Sequence, residues 1–171
     1  MVIRDIIVNK KTEEFFSVKV KNLAIAIPIH HVVEVQLAVN VIETLSTNNY
    51  FDCAFNCRGN FIPVFDIRKR LGLGTSAVSR SHYFLVLKCD EMRFSIMIDE
   101  IIGTISLVAS ELHKMNTLTT KYGAPLLIKL SSDAVSICDL STLITSDIKE
   151  EFYELMFDKY CENDSSKEKT H

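Results

Sequence analysis

The first side chains along this 171-residue chain that could act in catalysis or bind a metal are two adjacent histidines. His30 and His31 lie close to Glu34, and a histidine beside a carboxylate can act as a base or as a metal ligand. In a strand, neighbouring side chains point to opposite faces, so two adjacent histidines are badly placed to hold one ion. The other histidines form no HxH or HExxH pattern, and we predict no metal site.

Cysteines are the second candidate group. Cys53 and Cys57 lie near Arg58, and a neighbouring cation can lower a thiol pKa enough to make a nucleophile. Alternation along the predicted strand, however, puts Cys57 where a small apolar residue belongs. The five cysteines form no CxxC pair of the kind that a zinc ribbon needs. We interpret them as buried thiols without chemistry.

The remaining polar motifs also favour structural roles. Residues 72–75 (GLGT) lack the lysine of a phosphate-binding loop, and we interpret them as a helix stop and linker. The acidic pairs 90–91 and 99–100 are typical of solvated turns at strand ends. Because no convergent polar cluster emerges, the sequence predicts a binding module without cofactor, not an enzyme.

Composition narrows the class of protein further. A net charge of −3 offers no excess of positive charge for nucleic acid or an anionic membrane. No apolar run approaches the roughly 20 residues of a membrane span, and the charged N-terminus is unlike a signal peptide. The abundant Ile and Val, with five Gly and no Trp, are typical of a strand-rich fold. We therefore expect a mainly β, cytoplasmic protein.

Residues 54–74 predict the strands, turn and helix that would position Arg58. Segments 54–58 and 61–65 are short strand candidates, and Gly59-Asn60 between them predicts a tight hairpin turn with Arg58 at its exposed rim. Pro63 cannot donate to a ladder, which predicts an edge strand or a bulge. Asp66 then lies where the N-cap of a short helix belongs.

The second half of the chain repeats this pattern weakly. Segments 83–90 and 92–99 predict a strand pair, and residues 23–33 align with 92–102 through their apolar positions. Both halves also end in a strand, an Asp and a short helix, which favours two similar units of about 14–74 and 83–146 within one domain, 14–146, each closing as a small barrel. An amphipathic helix over 147–161 and a disordered tail over 162–171 complete the prediction.

One segment carries a family resemblance. Residues 56–68 (NCRGNFIPVFDIR) resemble the N-L-R-G-x-x-x-P-x-x-D-L-R signature of the CheW-like family of bacterial chemotaxis coupling proteins, with Cys57 in place of the usual Leu. The polar and special-backbone positions that match include Asn56, Gly59 and Pro63 with Asp66 and Arg68. The resemblance implies a fold of two intertwined five-stranded β-barrels (SH3-like), with strands possibly exchanged between them, and no catalytic activity.

The resemblance also implies partners. Members of the family join the cytoplasmic tip of chemoreceptors to the regulatory domain of the histidine kinase CheA. By that resemblance, Arg58 with Gly59 is the expected receptor contact, and Val33, Glu34 and Val35 line the neighbouring surface. Two alternatives remain at this point: a regulator of another kinase-controlled process such as surface motility, or a small-ligand sensor or enzyme using the groove between the barrels with His30, His31 or Cys57.

Overall fold

The structure is a computed structural model that describes residues 11–44, 50–108, 128–130 and 133–167. Within these residues the chain forms eleven strands: β1 (Thr12–Val20), β2 (Leu23–Pro28), β3 (Val32–Leu37), β4 (Ile42–Glu43), β5 (Cys53–Cys57), β6 (Asn60–Phe65), β7 (Tyr83–Cys89), β8 (Met92–Ile98), β9 (Glu100–Val108), β10 (Ile128–Leu130) and β11 (Asp133–Ile137). The helices are α1 (Ile67–Arg70), α2 (Leu140–Leu143) and α3 (Ser146–Lys167), and a 3₁₀ turn spans Ile29–His31.

The strands form two sheets, which confirms the mainly β class. One sheet has five strands in the order β10-β11-β2-β1-β9, and the other has six in the order β3-β7-β8-β6-β5-β4. The second sheet therefore has one strand more than the predicted five, the two-residue β4. Among the described strands, no pairing joins the outer strands of either sheet, so we describe them as sheets and not as closed barrels.

The two sheets repeat the same connectivity. In the first, the β1–β2 hairpin is extended by β11, which pairs parallel with β2. In the second, the β7–β8 hairpin is extended by β6, which pairs parallel with β8. Each sheet thus combines strands from both halves of the chain, so segments 14–74 and 83–146 do not correspond to separate sheets.

The main hydrophobic core lies between the sheets and the helices. It joins side chains of both hairpins to those of α2 and α3, including Ile25, Phe94, Leu140 and Phe152. A smaller cluster lies within each sheet: the stacked rings of Phe55 and Phe84, whose centroids are 4.5 Å apart, belong to the one in the six-stranded sheet. This shared core fixes the two sheets against each other.

Helix boundaries follow local capping. Asp66 caps α1 by accepting from the Lys69 N–H at 2.9 Å, and Asp139 caps α2 by accepting from the Ser141 N–H at 2.9 Å, as the repeated strand-Asp-helix pattern predicts. The last helix differs from prediction, because α3 continues to Lys167 through residues expected to be a disordered tail. Residues 168–171 of that tail lie outside the described residues. None of the described helices is both long and apolar enough to cross a membrane.

Candidate functional site

Arg58 lies at the tip of the β5–β6 hairpin. Cys57 pairs with Asn60 in the ladder, so the two turn residues are Arg58 and Gly59, not Gly59 and Asn60 as predicted. Both have positive φ, +52° and +85°, which is the backbone of a type I′ turn. Glycine suits the second position of such a turn, and this preference explains why the true turn is one residue earlier than expected.

Neighbouring side chains hold the turn. Asn56 accepts a hydrogen bond from the Gly59 N–H at 2.8 Å, and Asn60 donates weakly to the Cys57 carbonyl at 3.4 Å. The asparagine of the signature is therefore a clamp on the turn backbone. The fixed backbone leaves the Arg58 side chain projecting outward, with 84% of its surface exposed.

Glu34 on β3 connects this turn to the rest of the six-stranded sheet. Its Oε2 forms an ion pair with Arg58 Nη2 at 3.3 Å. Its Oε1 accepts a hydrogen bond from the Cys57 thiol at 3.0 Å and lies 3.4 Å from Nη2 of Arg93. We name these four side chains, Glu34, Cys57, Arg58 and Arg93, the rim cluster. Arg93 was missed by the sequence analysis, since only the pairing of distant strands brings it to Glu34.

The rim cluster perturbs two titrating groups. The hydrogen bond from Cys57 is the largest influence on Glu34, and with the charges of Arg58 and Arg93 it lowers the pKa of that carboxyl. The same hydrogen bond, followed by burial, raises the pKa of the Cys57 thiol. Cys57 is thus held protonated as a donor, and its environment is opposite to that of an activated nucleophile.

The two valines next to Glu34 differ in exposure. Val33 is 44% exposed, whereas Val35 is partly buried against the main core. Other exposed apolar residues in this part of the chain are Leu37 in β3, Val39, and Ile42 in β4. Of the two valines expected at the partner surface, Val33 is therefore the one that offers apolar area.

Two further signature residues, Pro63 and Arg68, are buried in the fold. Pro63 lies in an interior strand, opposite Ala54 of β5, and not at an edge. On the other side, β6 pairs with β8 only from Val64, so the missing N–H of the proline costs no hydrogen bond to β8. Arg68 is 2% exposed and donates to Asp99 Oδ2 at 2.8 Å. Asp99 also accepts from the Lys21 N–H at 2.7 Å, so the interpretation of this carboxylate as a solvated turn residue is wrong.

The alternative sites of the sequence analysis do not assemble. His30 and His31 lie in the 3₁₀ turn and not in a strand, with ring centroids 4.1 Å apart. Across the described ranges, no group of His, Cys, Asp and Glu could hold a metal ion. A cavity of about 130 Å³ is lined by neither histidine nor by Cys57, but by residues 52–53, 64–68, 75–76, 78 and 97. Burial there raises the pKa of Cys53 to about 11.

Fold and site together define a two-sheet β protein that presents a charged turn at its surface. A family model, the CheW-like domain, matches residues 14–147, and the chain belongs to this family. The match confirms the resemblance carried by residues 56–68.

Individual relatives agree with this assignment. The chain is 23% identical over 104 residues to a protein described as chemotaxis protein CheW from Helicobacter pylori, a match covering 61% of this chain. It spans only 63% of the length of that relative. It is also similar in structure to the scaffolding protein TtCheW from Thermoanaerobacter tengcongensis, with a TM-score of 0.64, 16% identity, and coverage of 81% of this chain and 91% of that one. At that identity the likeness establishes the fold.

Proposed function

We propose that this protein is a non-catalytic, cytoplasmic adaptor that couples chemoreceptors to the histidine kinase CheA in a bacterial chemotaxis array. The match of the CheW-like domain to residues 14–147 carries the proposal. The names of the two relatives, a chemotaxis protein and a scaffolding protein, support it.

The rim cluster supplies chemistry for the receptor contact. Receptor tips are helical hairpins, and a guanidinium can bind a carboxylate or a carbonyl on a helix. Arg58 is exposed in a two-residue turn, and Val33, next to its ion-pair partner Glu34, is exposed and apolar. A cation together with apolar surface suits an amphipathic helix. We therefore assign Arg58 to the receptor-facing surface, with Gly59 shaping its turn and Glu34 beside it.

A second surface is needed for the regulatory domain of the kinase. We assign it to the outer strands of the six-stranded sheet, β3 and β4, where Leu37 is 61% and Ile42 is 55% exposed, because an outer strand can pair with another β domain.

The test is co-sedimentation of the purified protein with receptor-containing membranes and the cognate kinase. We expect Arg58→Glu to weaken receptor binding at least about tenfold, because it replaces a cation at the contact with a negative charge that repels a carboxylate or carbonyl oxygen of the partner. Arg80→Glu makes the same charge change at an exposed residue of the loop before β7 and should bind as the wild type does. Wild-type protein that fails to sediment with receptor and kinase would overturn the proposal, and unchanged binding by Arg58→Glu would overturn the assigned contact.

A further inference from the structure

Cys57 lies beneath the exposed turn and contacts it through Glu34. The thiol is 3% exposed and has one proton to donate. Its nearest acceptor is Glu34 Oε1 at 3.0 Å, with Gln36 Oε1 farther away at 3.7 Å. Cys57 therefore donates a hydrogen bond to Glu34, and the same carboxylate forms the ion pair with Arg58, the next residue in the chain.

Glu34 is consequently held from two sides. Cys57 and Arg93 both contact Oε1, which leaves Oε2 directed to Arg58. Arg58 is in turn touched at one nitrogen, Nη2, and Glu34 is its one ion-pair partner among the described residues. The rest of the guanidinium stays open to solvent, as its 84% exposure requires.

We propose that Cys57 is a positioning residue of the receptor contact: its thiol fixes Glu34, and the fixed Glu34 orients Arg58 for a partner carboxylate. This inference rests on the proposed function of Arg58. A long, exposed arginine loses considerable rotamer entropy when it binds, and a carboxylate that holds one of its nitrogens beforehand removes part of that loss. An apolar side chain at position 57 would fill the same space but could not donate to Glu34.

Two substitutions separate donation from packing. Cys57→Val keeps an apolar side chain of similar size and removes the donor, whereas Cys57→Ser keeps a donor. We expect Cys57→Val to weaken binding to receptor-tip membranes by about threefold to tenfold, the range for one ordinary net hydrogen bond, because a thiol is a weak donor. Cys57→Ser should restore most of the affinity. Cys89→Val, at another buried thiol, is the control and should bind as the wild type does.

A double-mutant cycle with Arg58→Ala then tests whether Cys57 acts through Arg58. The effect of Cys57→Val should disappear in the Arg58→Ala background, since there is no guanidinium left to orient. Suppose that Arg58→Ala alone binds weakly. Wild-type affinity of Cys57→Val, or an equal loss of affinity from Cys57→Val in both backgrounds, would then overturn the inference about Cys57. Arg58→Ala that binds as tightly as the wild type would instead overturn the proposed receptor contact, and with it this role of Cys57.

Discussion

The two arginines of the signature over residues 56–68 each pair with a carboxylate, but in opposite environments. Arg58 pairs with Glu34 at 3.3 Å and is 84% exposed, whereas Arg68 pairs with Asp99 at 2.8 Å and is 2% exposed. Water competes for the charged groups of the exposed pair and salt screens their attraction, so this pair contributes little to the stability of the fold. The buried pair must be complete, because removing one partner leaves a charge with poor solvation.

Asp99 shows what the buried pair does for the fold. It accepts from the Lys21 N–H in the β1–β2 turn and from Arg68 in α1, and it lies 3.5 Å from Nε2 of His82 before β7. These contacts join the five-stranded sheet to the six-stranded one. An arginine-carboxylate pair thus joins the two sheets at position 68, whereas the pair at position 58 lies in solvent, as the proposed receptor contact requires.

The largest effect is expected from removing the buried arginine. Arg68→Ala should lower the free energy of unfolding by about 3 kcal/mol, because it removes a fully buried side chain from the core and one of the hydrogen-bond donors to Asp99. Arg58→Ala should change it by less than about 0.5 kcal/mol, since its pair is exposed. Urea unfolding followed by circular dichroism measures both variants. Equal losses would contradict the division of the two arginines into fold and partner roles.

A second prediction concerns the loss of stability at low pH. Burial alone would raise the pKa of Asp99, but hydrogen bonds from the Lys21 N–H and Arg68, with the charges of Arg68 and His82, lower it below its ordinary value of 3.8. A carboxyl whose pKa is lowered on folding stabilises the protein above its unfolded pKa and loses that contribution as pH falls through the folded pKa.

Wild-type stability should therefore fall below about pH 4, and Asp99→Asn, already less stable at pH 7, should lose less over the same range. Urea midpoints between pH 7 and 2.5 measure the two slopes. Asp90→Asn, at an exposed carboxylate 3.1 Å from Lys149, is the matched control. If both variants lose stability with falling pH as steeply as the wild type does, the ionised Asp99 does not stabilise the fold as proposed.

The comparison also separates what sequence can predict from what it cannot. The strands around the hairpin and the Asp66 cap were predicted correctly because their signals are local: alternation, a glycine in a turn, an acceptor before a helix. The exposure of Arg58 followed from its place beside the turn.

Both ion pairs lay beyond local signals. Arg68 and Asp99 are 31 residues apart, and Arg58 lies 24 residues after Glu34. Only the parallel pairing of β6 with β8 and the placement of β3 against β7 bring such residues together. A carboxylate at a strand end looks the same in sequence whether it is solvated, like Asp90, or bound to a buried arginine, like Asp99.

The smallest expected effect bears on why an arginine is at the turn at all. Asparagine adopts the left-handed backbone of a type I′ turn more readily than arginine does, and Asn-Gly is the favoured pair there. Because Arg58 has φ +52°, Arg58→Asn should raise the free energy of unfolding by about 0.5 kcal/mol while weakening receptor binding as Arg58→Ala does. Urea midpoints and co-sedimentation measure the two effects, with Arg58→Ala as the control that loses the side chain without gaining the favoured backbone. Equal stability of the Asn and Ala variants would show that the turn carries no strain. Higher stability with unimpaired binding would show that arginine is not retained there for a partner.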